Sequence, residues 1–302
     1  MNERRVHNIN GVNWFLLVTI MMQFAFTFVY MVIYSFLYYG KPSESVNLII
    51  NQITAIFLPV VAYAISKNVD VKKFFRFKRL PAKSVVQLMG LGFCGQFIGQ
   101  FLNIIIILVM TLFKLPVSRE LPIPEDGAGL IFTVFAIALM PGIFEELLIR
   151  GVVLRAYEKK GARNAIIVTA VLFSIMHFDL TNMLAPFFSG MLFAYVVLKT
   201  DSLFSSIILH VTNNITGVMI YILVRKIDNS IITGIGLSVM IVISLIAFLP
   251  LLAAFRRGFP KRRIDKGGPG GEIAKLLINL PVILIMITFI IVQAYNFGLF
   301  KM

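Results

Sequence analysis

The chain is poor in the groups that build most soluble enzymes. It has one cysteine, Cys94, so no intramolecular disulfide can form. That thiol lies in an apolar, glycine-rich run, a poor setting for a reactive thiolate. It has one tryptophan and three histidines, and only 14% of its 302 residues are charged. No polar stretch of domain size separates its hydrophobic runs, which excludes a soluble globular domain. A His-Glu-x-x-His zinc signature is missing, as is a Gly-x-Gly-Asp aspartyl signature. The Ser189-Gly190 pair lacks the preceding glycine that a rhomboid-type serine motif requires.

What remains is apolar. Hydrophobic residues make up 59% of the chain, and the mean hydropathy is +0.90, the composition of an integral membrane protein. Apolar segments run at 14–39, 46–66, 85–113, 128–149, 165–178, 183–198, 203–224, 231–255 and 273–297. The expected fold is all-α, a polytopic membrane helical bundle with about eight or nine transmembrane helices. The fifth and sixth runs fall short of the ~20 residues that a perpendicular span needs. The first run is too long for the core of a signal peptide and is expected to stay as an anchor.

The net charge of +14 is distributed by topology. With the N-terminus cytoplasmic, inside segments hold Arg4 and Arg5, the cations of 67–83 and 155–163, Lys199, and those of 256–266. Outside fall only Lys41, Lys114, Arg119, Arg225, Lys226 and Lys301. This alternation follows the positive-inside rule and leaves no case for a nucleic-acid partner. The interleaved Lys72-Lys73-Phe74-Phe75-Arg76-Phe77-Lys78-Arg79 suits an interfacial stretch against anionic membrane lipids. The segment 256–271 reads as a cytoplasmic linker, and the acidic loop of Glu120, Glu125 and Asp126 as an outside one. Gly90-Leu-Gly92-Phe-Cys-Gly95 matches the dinucleotide fingerprint without its strand or βαβ unit. Gly95 and Gly99 instead suggest close helix packing.

Chemistry concentrates between residues 145 and 214. Intramembrane carboxylates are costly and point to function. Glu145 and Glu146 are adjacent, and Arg150 stands one helical turn beyond Glu146, at ion-pair spacing. Glu145, rotated about 100° from Glu146, is left for general-base work. Phe173 and His177 share a face of the next run, and His210 and Asn214 share one two runs later. Each pair alone has a bland reading as structural glue. The two imidazoles, two carboxylates, guanidinium and amide together favour an enzyme.

Glu145-Glu146-x-x-x-Arg150, Phe173-x-x-x-His177 and His210-x-x-x-Asn214, in this order, resemble the three motifs of the CPBP family of intramembrane proteases. This is the CAAX-protease and bacteriocin-processing, or Abi, group. The resemblance covers residues 125–225 and divides the chain into N-terminal helices (1–124), a catalytic core and C-terminal helices (226–302). It implies an intramembrane endopeptidase of the cell membrane that acts on a peptide or lipidated protein, such as a CAAX-type tail or a bacteriocin or pheromone precursor. By the same resemblance, Glu145 and His177 activate a water, His210 and Asn214 stabilise the oxyanion, and Glu146 and Arg150 orient the first group. No cofactor is certain from these residues. Zinc, as in a metalloprotease, stays open, with His177, His210 and Glu145 as its ligands, although the balance favours water activated by glutamate without a metal. The alternative is a non-catalytic membrane partner that works by binding, as in bacteriocin immunity or sensor modulation. A simple topology also sets a difficulty, because it puts Glu145 and His177 at different depths. The reading requires Glu145, His177, His210 and Asn214 to converge.

Overall fold

A computed structural model describes residues 8–37, 43–117, 127–227, 229–259 and 271–298. Arg4, Arg5, the acidic loop of Glu120, Glu125 and Asp126, and most of the 256–271 linker lie outside the described residues. Among the described residues every regular element is helical, as expected. The helices are α1 (Ile9–Leu37), α2 (Glu44–Ser66), α3 (Val71–Phe74), α4 (Ala82–Leu112) and α5 (Ile131–Lys160). They continue with α6 (Ala162–Ile175), α7 (Leu184–Thr200), α8 (Leu203–Lys226), α9 (Ser230–Arg257), α10 (Gly271–Leu277) and α11 (Leu280–Asn296).

Six of these helices are long and apolar enough to cross a membrane, and α6, α7 and α11 are shorter apolar helices. This makes a multi-pass membrane protein. Side chains such as Ile231, Ile235, Val242, Ile246 and Leu249 of α9 point outward. Outside a membrane so apolar a face would be a liability, whereas hydrocarbon is its natural solvent. One boundary differs from the sequence expectation. The run 273–297 is broken at Asn279, whose side chain caps the N-terminus of α11 by accepting from the Val282 amide. An asparagine at this position offers the chain a helix start inside an apolar run.

Helices α6 and α7 form the most intimate pair, a hairpin whose α7 arm packs on α4 and α8. At 1.5 Å per residue, their 14 and 17 residues reach about 21 and 25 Å, less than the ~30 Å hydrocarbon core. The tip at residues 176–183 therefore stops short of a full crossing. Helix α4 packs closely on α8 and α9. A Cβ at Gly92 would lie 2.7 Å from the Leu209 carbonyl oxygen, so the fingerprint look-alike is a helix-packing surface.

One end of the bundle collects the segments that their charge assigns to a single side. The strap 67–81, which carries α3, lies across it. Arg76 forms ion pairs with Glu158 and Asp201, and Lys78 with Asp201. Arg155 donates to the Phe74 carbonyl (2.9 Å), Ser202 to the Lys78 carbonyl (2.5 Å), and Lys199 to the Phe259 carbonyl (3.3 Å). Asp70 caps α3, and the Lys73 amide that it accepts holds its carboxyl below the ordinary carboxylate range. A chain of two amides and a phenol ties α5 to α1 and α11. Tyr157 donates to Asn13 (2.8 Å), and Asn13 donates to Asn279 (3.1 Å).

Candidate active site

Three π segments interrupt the helices around the motif residues: Gln52–Phe57 in α2, and Phe135–Leu139 and Leu147–Val153 in α5. Such widened turns are commonly found at functional sites. Two of them are followed closely by proline, Pro59 and Pro141. A proline has no N–H for the carbonyl four residues back, and its ring crowds that carbonyl. For Pro141 the affected group is Ile137. Its oxygen accepts from Nδ2 of Asn214 at 3.1 Å.

The second carboxylate of the pair is the deeply buried one. Glu146 is 0% exposed and Arg150 1%. Oε1 of Glu146 accepts from Arg150 Nη1 (2.7 Å) and meets His210 Nδ1 at 2.8 Å. Gly142 makes the second contact possible. A Cβ there would stand 2.5 Å from the Val211 side chain and 3.1 Å from its backbone nitrogen, so only glycine lets α5 approach α8 this closely. Arg150 also donates to the Gly190 carbonyl (3.2 Å). Its guanidinium lies over the rings of Phe173 (4.4 Å) and Phe193 (5.1 Å), a cation–π setting strengthened by burial.

Phe173 joins the second motif to the rest. Its ring meets His177 edge-on at 4.9 Å and His210 at 5.7 Å, while Phe193 lies 4.8 Å from His210. Both imidazoles thus touch the phenylalanine on which Arg150 rests. His177 Nδ1 is 2.8 Å from the Phe173 carbonyl oxygen. A carbonyl only accepts, so Nδ1 carries the proton and the Nε2 lone pair belongs to the neutral ring. That is the tautomer of a base. His210 is subtler. With Nδ1–H directed at Glu146, the neutral ring is an acceptor at Nε2, and only the imidazolium is a donor there.

Glu145 points to another helix. Its Oε1 accepts from Nε2 of Gln52 at 2.8 Å. The ring of the preceding Phe144 stacks on Phe57 (centroids 4.6 Å apart, planes at 24°). The two glutamates therefore have different partners.

By chain length the depth difficulty eases, because α5 runs on past Ile149 to Lys160. Glu145 lies fifteen residues before Lys160, and His177 lies fifteen after Ala162. Both are about 22 Å from the end at which α5 turns into α6. Ion pairing of Glu146 with Arg150 removes the charge that hydropathy reads as a helix end.

The zinc reading fares worse. Among the described residues no three His, Cys, Asp or Glu side chains gather with the spacing of a metal site. His177, His210 and Glu145 do not make the three-ligand set that a catalytic zinc normally needs, so no step is assigned to a metal.

The position of Asn214 carries a prediction. Asn214→Ala leaves the Ile137 carbonyl unpaired in an apolar setting, at a cost on the order of 1–3 kcal/mol. Asn214→Asp keeps the shape and sets a second acceptor against the carbonyl, so it is expected to be worse. Thermal unfolding of the purified variants measures both, and equal melting of wild type and Asn214→Asp would contradict this role.

Sequence reasoning missed Gln52, Phe193 and the Gly190 carbonyl. Gln52 had a signal, being an amide within an otherwise apolar span. The other two have none, because a phenylalanine and a backbone oxygen do not stand out in such a chain.

Residues 127–216 match the family described as type II CAAX prenyl endopeptidase Rce1-like. The match covers the region of the three motifs and is the family that they resemble. It points to a protease of the membrane. No curated protein and no solved structure matches the chain.

Proposed function

We propose that this protein is an intramembrane endopeptidase that cleaves a lipid-modified protein or peptide through a water activated by Glu145. The observation that carries this reading is the pairing pattern of the two glutamates. Glu146 is held by Arg150 and His210 in a buried cluster, whereas the hydrogen-bond partner of Glu145 among the described residues is a neutral amide, that of Gln52. A salt-bridge network that merely fixes packing has no need of the second carboxylate.

Glu145 takes the proton of the attacking water and later returns it to the leaving amine, while His177, through its Nε2 lone pair, accepts that water's other hydrogen and orients it. His210, anchored at Nδ1 by the Glu146–Arg150 pair, donates from Nε2 to the oxyanion when its ring carries both protons. The N–H of Asn214 that is not engaged by Ile137 is a second donor. Donors of this kind are commonly worth about 2.7–4 kcal/mol each. Arg150 and Glu146 fix the imidazole and supply charge without touching substrate. The strap side of the bundle is the cytoplasmic one, with the N-terminus on that side.

A lipid-modified substrate is supported by an apolar cavity of about 440 Å³ beside the motif helix. Phe57, Val60, Val61, Phe75, Phe77 and Leu147 are among its lining residues. Phe57 stacks on Phe144, the neighbour of Glu145. A chain lodged there would bring its attached peptide toward the carboxylate.

Purified protein in nanodiscs, given a peptide with a prenylated cysteine and the same peptide unmodified, tests this reading. Cleavage of the modified peptide at a kcat/KM at least about tenfold higher is expected, surviving a zinc chelator. Val61→Trp, which narrows the cavity, is expected to raise KM about tenfold with little change in kcat, the pattern of lost uniform binding. No cleavage of either peptide would contradict the reading.

A further inference from the structure

The 44–66 span lies outside the matched segment, yet it delivers a side chain to the motif carboxylate. Gln52 is 6% exposed. Its Nε2 donates to Glu145 Oε1 across 93 positions of sequence. An ionised carboxylate has only acceptors, which fixes the amide orientation: the NH₂ faces Glu145 and the carbonyl oxygen faces away. That oxygen is buried and has no hydrogen-bond partner among the described residues. A buried amide oxygen left unpaired is costly, so its position calls for an explanation beyond packing.

The local backbone is shaped for this contact. Gln52 and Phe57 are the two ends of the π segment of α2. In an α-helix, residues five apart are about 140° apart around the axis. The i→i+5 register of a π turn brings them closer to one face. That face meets two consecutive residues of α5, because Phe57 stacks on Phe144 while Gln52 holds Glu145. The ring pair sets the register and the amide sets the carboxylate.

We propose that Gln52 is a positioning residue of the active site. Its Nε2 fixes Oε1 of Glu145, which leaves Oε2 turned to take the proton of the attacking water. The inference rests on the protease reading above, and it adds a fourth helix to the three that carry the motifs.

The test is kinetic. Gln52→Met keeps the volume and removes both polar atoms. It is expected to lower kcat about 10- to 100-fold, the scale of a misplaced catalytic group, with KM within twofold and melting within about 3 °C of the wild type. Glu145→Asp shortens the carboxylate out of reach of Gln52. Adding Gln52→Met to Glu145→Asp is expected to lower kcat by less than threefold more, because the contact is already broken. Gln52→Asn, which keeps an amide one methylene shorter, is expected to recover part of the loss.

A Gln52→Met enzyme that turns over like the active wild type would overturn the Gln52 proposal and leave the protease reading standing. So would full additivity of the two substitutions, or a loss that Gln52→Asn does not relieve. A wild type that cleaves none of the peptides would overturn the protease reading, and this proposal with it.

Discussion

Replacing Glu145 by glutamine is expected to lower kcat by about 10²–10⁴-fold, the usual worth of a positioned general base, while the protein melts as the wild type does. The separation of the two effects follows from geometry. A glutamine at 145 still offers an oxygen to Gln52 Nε2, which stands 2.8 Å from the present carboxylate. It keeps the shape of the side chain beside Phe144 and its stacking partner Phe57. The capacity to take a proton is lost and nothing else. KM should change little, since Glu145 acts on water rather than on the bound chain. Kinetics with a cleavable peptide, together with thermal unfolding, measure both quantities. A variant that retains most of its kcat would transfer the role of base to another group.

The opposite pattern is expected at Arg150. Arg150→Met strips the buried Glu146 carboxylate of its cation, the change that costs about 3–5 kcal/mol in buried pairs. It also removes the donor to the Gly190 carbonyl and the cation between Phe173 and Phe193. The variant should express poorly or melt far below the wild type. In the double variant Glu146→Met, Arg150→Met no charge is stranded, so much of that loss should return. Activity should not return, because His210 then has no anion at its Nδ1. A thermodynamic cycle over the four proteins gives the coupling directly. Additive losses at 146 and 150 would mean that the pair is not the unit described above.

These two glutamates also show what was legible beforehand. The class, the helical bundle, the nine apolar segments and the motif family could be read from hydropathy, charge alternation and three spaced patterns. Glu146 and Arg150 could be paired from their separation of one turn. Other features had no such signal. The continuation of α5 to Lys160 was hidden because Glu145, Glu146 and Arg150 look like the end of a span. A pair that neutralises itself inside the bundle lets the helix run on, and by chain length that extension puts Glu145 and His177 equally far from the turn between α5 and α6. The tie between Asn214 and Ile137 was hidden for another reason. It depends on a carbonyl released by Pro141, and backbone acceptors carry no letter in a sequence. Gln52 was visible as a lone amide, but its partner lies 93 positions away, and only packing chooses between Glu145 and any other acceptor. The zinc alternative likewise turned on spatial grouping that spacing along the chain could not decide.

The whole account depends on a water activated by Glu145 attacking a peptide carbonyl. The most direct measurement is cleavage of a prenylated peptide in ¹⁸O-enriched water by purified wild type and by Glu145→Gln, read by mass spectrometry. The expected result is one heavy oxygen in the new C-terminal carboxylate from the wild type, and a yield from Glu145→Gln lower by at least about a hundredfold. Equal labelled product from both proteins, or no product from the wild type, would contradict it.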